Sequence, residues 1–237
     1  MSEKKYYEKK LSADKLKQVY EIAAPRVRQY LNAEMNYVLQ KIKPGSSVLE
    51  LGCGYGRVLS ALAKKSKKVI GIDTSLSSLM MGKEMLKNIS NCYFTRMNAA
   101  QLAFPSHTFD AVVCIQNGVS AFHVDKKKLI LESIRVTKPG GVISFSSYSK
   151  KFWNYRLEWF QKQSDAGILG EIDYERTVNG NIVCKDGFTA TTVSPEQFTD
   201  LTAGIDGIET QIEDVDGSSV FCVINLKPRY PTNAWRA

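Results

Sequence analysis

Short apolar runs alternate with amphipathic segments along most of this chain, a pattern typical of a protein that mixes strands and helices. Residues 12–24 and 25–42 carry apolar side chains at helical spacing, and the second segment opens with Pro25, which a first helical turn tolerates. Further along the chain, apolar runs of strand length follow one another with helical segments between them. The order strand, helix, strand predicts parallel pairing with right-handed crossovers.

Turn residues and apolar runs place the elements of this alternation. We expect strands at 47–51, 68–72, 91–96, Phe109–Ile115 and Val142–Ser146, and helices near 56–65, 75–87 and Lys126–Thr137. The run Phe109–Ile115 is apolar almost throughout, as a central strand buried on both faces requires. Lys138-Pro139-Gly140-Gly141 ends the preceding helix before the next strand begins.

The alternation breaks between residues 150 and 193. An aromatic-rich helix candidate is followed by a predicted hairpin that turns at Asn179-Gly180 and by another turn at Lys185-Asp186-Gly187. Ser194-Pro195-Glu196 then opens a helix, and two strands close the chain around an Asp216-Gly217 turn. These closing strands are predicted at about 207–214 and 218–226.

The predicted fold class is α/β, a Rossmann-like, seven-stranded and mostly parallel sheet with a reversed final hairpin and helices on both faces. We expect a single domain over 1–237. Its parts are a helical cap at 1–44, a cofactor-binding core at 45–149, an inserted αββ segment that shapes the substrate site at 150–193, and a closing helix and hairpin at 194–237.

Composition narrows the class of protein. The chain of 237 residues is long enough for one good core, and its 43% hydrophobic and 24% charged residues are ordinary for a globular protein. Five cysteines are widely spaced and form no C-x-x-C motif, which argues against a zinc site and a disulfide framework. No apolar stretch approaches the roughly 20 residues of a membrane helix, and no apolar signal core follows the charged amino terminus. We expect a soluble, cytoplasmic protein that binds no metal and no membrane.

The net charge of +8 raises nucleic acid as a partner, because phosphate binding relies on clustered lysine and arginine. The lysines, however, lie in separate groups at 4–10, 64–68 and 126–128. Such groups are typical of solvated helix ends, and no basic stripe with interleaved aromatic residues is present in the sequence. The pattern argues against nucleic acid.

One glycine-rich loop points to a cofactor. An apolar run ends in Glu50, three glycines alternate with other residues over 52–56, and a second apolar run ends in Asp73. Glycines at such a turn let the backbone approach a ligand, and the later acid can bind ribose hydroxyls. A dinucleotide fingerprint needs a third glycine where this chain has Arg57. The spacing therefore disfavours a dinucleotide.

Residues 45–147 resemble the class I S-adenosylmethionine-dependent methyltransferases. The motifs that carry the resemblance, in order, are Glu50 with the 52–56 loop, Ile72-Asp73-Thr74-Ser75, the segment Asn98–Phe104, Phe109-Asp110, and Lys138-Pro139-Gly140-Gly141. The resemblance implies S-adenosyl-L-methionine as cofactor. The cofactor-binding residues that it implies are Glu50, Gly52, Cys53, Gly54, Asp73, Thr74, Asn98, Ala99, Ala100, Ile115 and Gln116.

The resemblance also implies a role for several of these residues. Glu50 would contact the amino end of the cofactor and Asp73 both ribose hydroxyls. Asn98 stands where the family usually has an acid, so we expect an adenine pocket with altered pairing. Two alternatives stay open, namely that Thr74 and Ser75 cap the following helix and that Cys53 packs beneath the loop.

In related small-molecule enzymes, a cap supplies tyrosine and arginine to the cofactor carboxylate, a role that Tyr20 and Arg28 would take here. His123 is the candidate general base if the acceptor arrives protonated, and an exposed histidine before a helix is the alternative. The candidate acceptor-binding residues are Asn117, Trp153, Tyr155 and Arg156.

Two of these acceptor assignments have structural alternatives. Asn117 before Gly118 also suits a turn. Aromatic residues at helical spacing also suit a core or a dimer interface, which leaves a homodimer open.

The resulting hypothesis is methyl transfer by in-line displacement to a nitrogen, oxygen or sulfur atom of a small molecule, giving S-adenosylhomocysteine. An RNA or protein methyltransferase is the first rival. A nicotinamide-dependent oxidoreductase and a non-catalytic cofactor-binding protein are the others.

Overall fold

The computed structural model of the protein describes Tyr6 and residues 10–228; the outer ends of the predicted cap and closing segment, at 1–5, 7–9 and 229–237, lie outside the described residues. The strands are β1 (Ser47–Leu51), β2 (Lys68–Asp73), β3 (Cys92–Arg96), β4 (Phe109–Cys114), β5 (Thr137–Tyr148), β6 (Ile182–Val183), β7 (Thr189–Ala190), β8 (Ile208–Val215) and β9 (Ser219–Leu226). The helices are α1 (Asp14–Glu21), α2 (Pro25–Lys41), α3 (Leu59–Ala63), α4 (Leu76–Met85), α5 (Gly118–Ala121), α6 (Lys126–Val136), α7 (Trp153–Asp165) and α8 (Pro195–Thr202).

Seven strands form the main sheet in the order β3-β2-β1-β4-β5-β9-β8. Strands β1 to β5 pair in parallel, and β9 pairs antiparallel with both β5 and β8. The predicted fold class, including the reversed final hairpin, is confirmed. The central strands are mostly apolar because both sheet faces are covered: Leu49 and Val112 pack in one core cluster, and Val48 and Ala111 pack in another.

Strand β5 begins earlier than the sequence predicts. Phe109 pairs with Thr137 and Ala111 pairs with Val142, so residues 138–141 bulge out of the ladder. Gly140 has a φ of 76°, which suits a glycine in such a bulge. The segment expected to separate a helix from a strand is therefore an irregular start of the strand itself.

The cap and the insertion share a third core cluster. Helix α2 buries Tyr30, and the Tyr30 ring centroid lies 5.1 Å from that of Phe152, just ahead of α7. Trp159 and Phe188 of the insertion belong to the same cluster. Most of the aromatic residues of the insertion are thus core residues of one chain. The homodimer and the domain boundaries at 44, 149 and 193 stay predictions.

The hairpin of the insertion turns at a different place from the one predicted. Strands β6 and β7 pair across the turn Lys185-Asp186-Gly187. The turn at Asn179-Gly180 lies between Ile172 and Cys184, which are joined by an isolated bridge. Both glycines have positive φ, so composition alone does not decide which turn carries a ladder.

Candidate functional site

The loop after β1 turns sharply because its glycines adopt left-handed backbone conformations, with φ of 72° at Gly52, 53° at Gly54 and 83° at Gly56. The Gly52 N–H donates to the Ile72 carbonyl at 2.8 Å. The Gly54 N–H donates to Oδ2 of Asp73 at 2.9 Å. The two motifs that the sequence separates by 17 residues are therefore joined directly.

Two apolar side chains cover this loop. A Cβ placed on Gly54 would lie 2.8 Å from Leu16 of α1, and one placed on Gly52 would overlap the ring of Phe122. The sequence predicts that these glycines make room for a ligand. In the structure they also make room for Leu16 and Phe122, which lie against the loop.

A cavity of about 290 Å³ lies beside the loop, at the carboxyl ends of the parallel strands, where open α/β sheets bind their ligands. The sheet, the cap and the insertion all contribute to its walls. The predicted cofactor-binding residues that line it are Tyr20, Gly52, Gly54, Asp73, Thr74, Asn98, Ala99, Ile115 and Gln116.

Asp73 is the acidic residue of the cavity wall. Its Oδ2 accepts from Gly54 N–H, and its Oδ1 accepts from Ser75 N–H at 2.8 Å. Asp73 lines the cavity as a carboxylate, a group with about four lone-pair sites that accepts hydrogen bonds from hydroxyls. The Ser75 hydroxyl caps α4 by accepting from Ser78 N–H, as the capping alternative predicts, and both Thr74 and Ser75 line the cavity.

The predicted adenine side is formed by Asn98 and Ala99. Asn98 Oδ1 accepts from Ala100 N–H at 2.9 Å, and its side-chain nitrogen makes no hydrogen bond with the described residues. Asn98 is exposed and Ala99 is buried at the cavity wall. Ala100 closes the turn and does not line the cavity. The side-chain nitrogen of Asn98 therefore offers a hydrogen-bond donor where the sequence predicts the edge of the adenine ring.

Gln116 and Asn117 follow β4 with φ of 56° and 62°, two successive residues in the left-handed region. Such strain persists where surrounding bonds fix the backbone, and it is common at functional sites. The Gln116 N–H donates to Glu34 Oε2 at 2.8 Å, and Gln116 Oε1 accepts from the Tyr20 hydroxyl at 2.9 Å. Gln116 Nε2 is buried and has no hydrogen-bond partner.

Glu34 is a site residue that the sequence analysis missed. It is fully buried on α2 and accepts from Gln116 N–H and from the Ser219 hydroxyl, the latter at 2.7 Å. Burial raises the pKa of Glu34 from 4.5 to about 7. Glu34 lies four residues from both Tyr30 and Val38, which places its carboxyl within the apolar stripe of the helix. This spacing is the sequence signal that could have identified it.

Glu50 lies beneath the loop, 4% exposed, and its Oε2 has no hydrogen-bond partner. Burial raises the pKa of Glu50 to about 8, against the opposing effect of the positive charge of Arg57. Arg57 also has a buried Nε and Nη2 without partners, and its guanidinium lies 4.6 Å from the centroid of the Tyr20 ring. Arg57 is the second residue that the sequence analysis missed. The sequence analysis used it only as the residue that replaces the third glycine of a dinucleotide fingerprint.

Glu50, Arg57 and Gln116 each carry a buried polar atom without a hydrogen-bond partner. Each such atom costs about 1–3 kcal/mol, so native proteins keep them rare. Gln116 lines the cavity beside Asp73, whereas Arg57 lines a separate cavity. Gln116 Nε2 is thus a buried donor at the cavity wall that suits an acceptor atom of a polar ligand.

Arg28 is placed elsewhere. Its Nε donates to the Ala23 carbonyl at 2.8 Å and its Nη2 donates to the Glu21 carbonyl at 3.0 Å, so it closes the carboxyl end of α1. It lines a separate cavity of about 590 Å³ on the far side of Tyr20. The structure does not bring Arg28 to the cavity beside Asp73.

Asn117 is also turned away from this cavity. Its Nδ2 donates to the Thr191 carbonyl at 2.9 Å, and its Oδ1 accepts from the Ser147 hydroxyl at 2.8 Å. The side chain ties the end of β5 to the insertion and does not cap α5, which Asn117 precedes.

The predicted aromatic and cationic acceptor residues do not line the cavity either. Arg156 is buried and donates to the carbonyls of Gly180 and Ala190. Trp153 lines a third cavity with Arg156, and Tyr155 is 46% exposed. The insertion instead contributes Trp159, Phe160, Gln163 and Phe188 to the cavity.

His123 and Cys53 lie close to the cavity without lining it. His123 is half-buried between Phe122 and Val124, both of which do line it. As a general base, His123 would require a rearrangement of this segment. Cys53 is buried beneath the loop against Gly71, as the packing alternative predicts.

The part of the chain that the structure describes contains no group of three or more side chains suited to hold a metal ion. Within the same residues, none of the helices has the length and apolar character needed to cross a membrane.

A family model described as a methyltransferase domain matches residues 48–141. The ubiquinone/menaquinone biosynthesis C-methyltransferase UbiE of Cronobacter sakazakii is 37% identical over 116 residues, which is 46% of this chain and 45% of that protein. The UbiE of Hydrogenovibrio crunogenus is 36% identical over 118 residues, 47% and 46% of the two chains. The chain thus spans about half the length of the curated relatives it matches.

Solved structures share the fold over most of the chain. The N-methyltransferase NodS from Bradyrhizobium japonicum, in complex with S-adenosylhomocysteine, has a TM-score of 0.64 at 15% identity and covers 95% of this chain and 99% of its own. A SAM-dependent methyltransferase from Aquifex aeolicus has a TM-score of 0.60 at 17% identity and covers 91% and 100%. The chain therefore has the fold of the class I methyltransferases, and its residues 48–141 match a methyltransferase domain.

Proposed function

We propose that this protein is an S-adenosylmethionine-dependent methyltransferase that acts on a small molecule in the cytoplasm. The observation that carries the proposal is the glycine loop bonded to Asp73, beside a cavity whose wall also holds Gln116 with its unpartnered Nε2. This arrangement offers a hydroxyl acceptor and an amide donor on the same wall, as an adenosylated amino acid requires.

The residues divide the ligand between them. Asp73 accepts from the ribose hydroxyls, and Asn98 with Ala99 faces the adenine. Gln116 and Tyr20 lie on the wall toward the amino-acid end. The cofactor supplies an electrophilic methyl group when bound, and the chain contributes alignment and exclusion of water, the main requirements of an in-line displacement.

The acceptor portion of the cavity is apolar. Leu11 of the cap and Trp159, Phe160 and Phe188 of the insertion form its wall. Among the described lining residues, Asp73 is the one with a carboxylate, and none is lysine, arginine or histidine. Such a wall favours an acceptor with a large uncharged apolar part.

The tyrosines that line the cavity do not supply a base at neutral pH, because burial raises the pKa of both Tyr20 and Tyr148 above the usual value for tyrosine and so keeps their hydroxyls protonated. Asp73 is the one carboxylate among the described lining residues, and the proposal engages it with the ribose. An acceptor atom that is nucleophilic on arrival suits this lining. The sequence suggests nitrogen, oxygen or sulfur as the methyl acceptor. Because the relatives are named C-methyltransferases, carbon is a further candidate acceptor atom.

Binding of the cofactor product tests the proposal. Calorimetric titration with S-adenosylhomocysteine should show micromolar binding, and NADH should show none. Asp73→Ala should weaken the binding by roughly 10- to 100-fold, because it removes charge-assisted bonds to the ribose.

Asp110→Ala is the matched control for that titration. Asp110 also accepts a backbone N–H, from Ser47 at 2.8 Å, but it lies near the amino end of β4, away from the cavity at the carboxyl ends of the strands. Its removal should leave the affinity unchanged. Binding of NADH in place of S-adenosylhomocysteine, or of neither, would overturn the proposal.

A further inference from the structure

Gln163 is a buried polar side chain in the aromatic part of the cavity wall. It lies on α7, four residues after Trp159, so the two side chains share one face of the helix. Gln163 is 2% exposed and lines the cavity beside Asp73. A buried amide costs free energy unless its polar atoms are hydrogen-bonded. Both ends of the Gln163 amide therefore need partners.

One end of this amide is bonded within its own helix. Gln163 Nε2 donates to the Trp159 carbonyl at 3.2 Å, and no described residue donates a hydrogen bond to Oε1. Because the nitrogen is turned toward the helix, the oxygen is the atom that is left for the cavity, and an amide oxygen has two lone pairs. The neighbouring polar groups differ, since Trp159 Nε1 donates to the Val19 carbonyl and the Tyr20 hydroxyl donates to Gln116.

The bond to the Trp159 carbonyl does not by itself account for a glutamine at this position. In an α-helix the backbone N–H of residue 163 donates to the carbonyl of residue 159, so that carbonyl has a partner without the side chain. Methionine or leucine would fill a similar volume in an apolar wall without the cost of burying an amide. The amide oxygen therefore points to a hydrogen-bond donor on a ligand.

The surroundings of Gln163 define the chemistry of that ligand. Phe160 and Phe188 lie on the same wall, with their ring centroids 5.9 Å apart, and suit an apolar or aromatic body. Asp73 is the one carboxylate among the described lining residues, and the proposed function engages it with the ribose. A cationic donor would therefore lack a counter-charge beside Gln163. An uncharged hydroxyl or amine suits Oε1 better.

We propose that Gln163 Oε1 accepts a hydrogen bond from an uncharged hydroxyl or amine group of the methyl acceptor, and so selects an apolar or aromatic molecule that carries such a group. This inference rests on the proposed function and deepens it, because it names the class of acceptor. The hydrogen bond would fix the orientation of a molecule that the aromatic wall otherwise holds by apolar contact.

Three small aromatic molecules of similar shape test this proposal. In the same ring position, p-cresol carries a hydroxyl, p-toluidine carries an amine that is uncharged at neutral pH, and p-xylene carries a methyl group. Each is titrated, with ligand-observed NMR, into the complex of the full chain with S-adenosylhomocysteine. The wild-type complex should bind p-cresol, p-toluidine or both, and the molecule that binds tells a hydroxyl from an amine.

Gln163→Met should lower the affinity for the bound donor molecule by roughly 3- to 10-fold relative to the affinity for p-xylene, the loss expected for one neutral hydrogen bond. Gln161→Met is the matched control on the same helix. Gln161 Nε2 donates to Asp165 at 2.6 Å, and Gln161 does not line the cavity. The control should leave the ratio of the two affinities unchanged.

Gln163→Leu serves if Gln163→Met does not fold. An unchanged ratio of affinities in a folded Gln163 variant would overturn the inference, as would a wild-type complex that binds neither donor molecule. If neither variant folds, the role of Gln163 is structural and the inference also fails.

Titration with S-adenosylhomocysteine separates this inference from the proposed function. Gln163→Met should bind S-adenosylhomocysteine with the affinity of the wild type. A loss of that affinity would place Gln163 at the cofactor, which overturns the inference and leaves the proposed function intact. If the wild-type protein does not bind S-adenosylhomocysteine, the proposed function fails and the inference fails with it.

Discussion

Single residues at this site are strained or buried in ways that cost stability. Glu34 and Glu50 are both buried carboxyls with a raised pKa, and Gln116 has a left-handed backbone. Glu34 holds that backbone in place by accepting from Gln116 N–H. The cost is consistent with residues selected for what they position rather than for the stability of the empty fold.

The pH dependence of stability tests the burial of Glu34. The folded protein keeps a proton on Glu34 up to about pH 7, whereas the unfolded chain releases it near 4.5, so the free energy of unfolding falls as the pH rises through this window. Glu34→Gln removes this loss. In urea unfolding, the free energy of unfolding of the variant relative to that of the wild type should increase by about 1–3 kcal/mol between pH 5 and pH 8.

Glu213→Gln provides a control of opposite sign. The nearby Tyr37 hydroxyl and the Lys41 ammonium, which donates to Glu213, lower the pKa of Glu213, so its contribution to stability is present at neutral pH and is lost as the pH falls. Parallel pH curves for Glu34→Gln and the wild type would contradict the burial of a neutral carboxyl at residue 34.

At the scale of elements, α1 depends on the rest of the protein for its position. A helix of eight residues is marginal alone, and its last carbonyls need partners from outside. Trp159 Nε1 donates to the Val19 carbonyl at 3.0 Å, and Arg28 Nη2 donates to the Glu21 carbonyl. Through these bonds the insertion and α2 fix the helix that carries Tyr20.

Trp159→Phe should therefore destabilise the protein by about 1–3 kcal/mol, because it leaves the buried Val19 carbonyl without its donor. It should also weaken the binding of S-adenosylhomocysteine, since Tyr20 moves with α1. Trp153→Phe is the control, because Trp153 is half-buried and donates no hydrogen bond to the described residues. Equal unfolding midpoints for the two variants in urea would contradict this account of α1.

The same elements show which features of the fold and the site could be predicted from the sequence. Strands β1 to β4 and the loop with Asp73 could be predicted because each depends on a local pattern, an apolar run or a glycine turn. Arg28, Asn117 and Arg156 could not be placed, because their partners lie on distant segments and no local pattern specifies them. Glu34 and Arg57 were missed for the same reason: their importance lies in burial, which a single position does not reveal.

At the scale of the whole molecule, the positive charge is dispersed. Lys65 donates to the Leu39 carbonyl at 2.6 Å, and Lys127 donates to the Leu201 carbonyl at 2.7 Å. The group at 64–68 precedes and begins β2 at the amino edge of the sheet, opposite the cavity. These lysines donate hydrogen bonds to carbonyls near the carboxyl ends of helices and do not form a phosphate-binding stripe.

We accordingly expect no specific binding of RNA. Fluorescence anisotropy with a labelled 20-nucleotide single-stranded RNA at 150 mM salt should give at most the weak binding of a basic protein, with a dissociation constant no tighter than about 1 μM. Submicromolar binding that weakens steeply between roughly 50 and 200 mM salt would favour the RNA methyltransferase instead.

The most direct test of the central claim is a crystal structure of the protein with S-adenosylhomocysteine. The account predicts the ribose hydroxyls at Asp73, the adenine at Asn98 and Ala99, and the amino-acid end of the ligand toward Tyr20 and Gln116. A ligand seated in the cavity that Arg28 lines, or its absence from crystals grown at saturating concentration, would contradict the account.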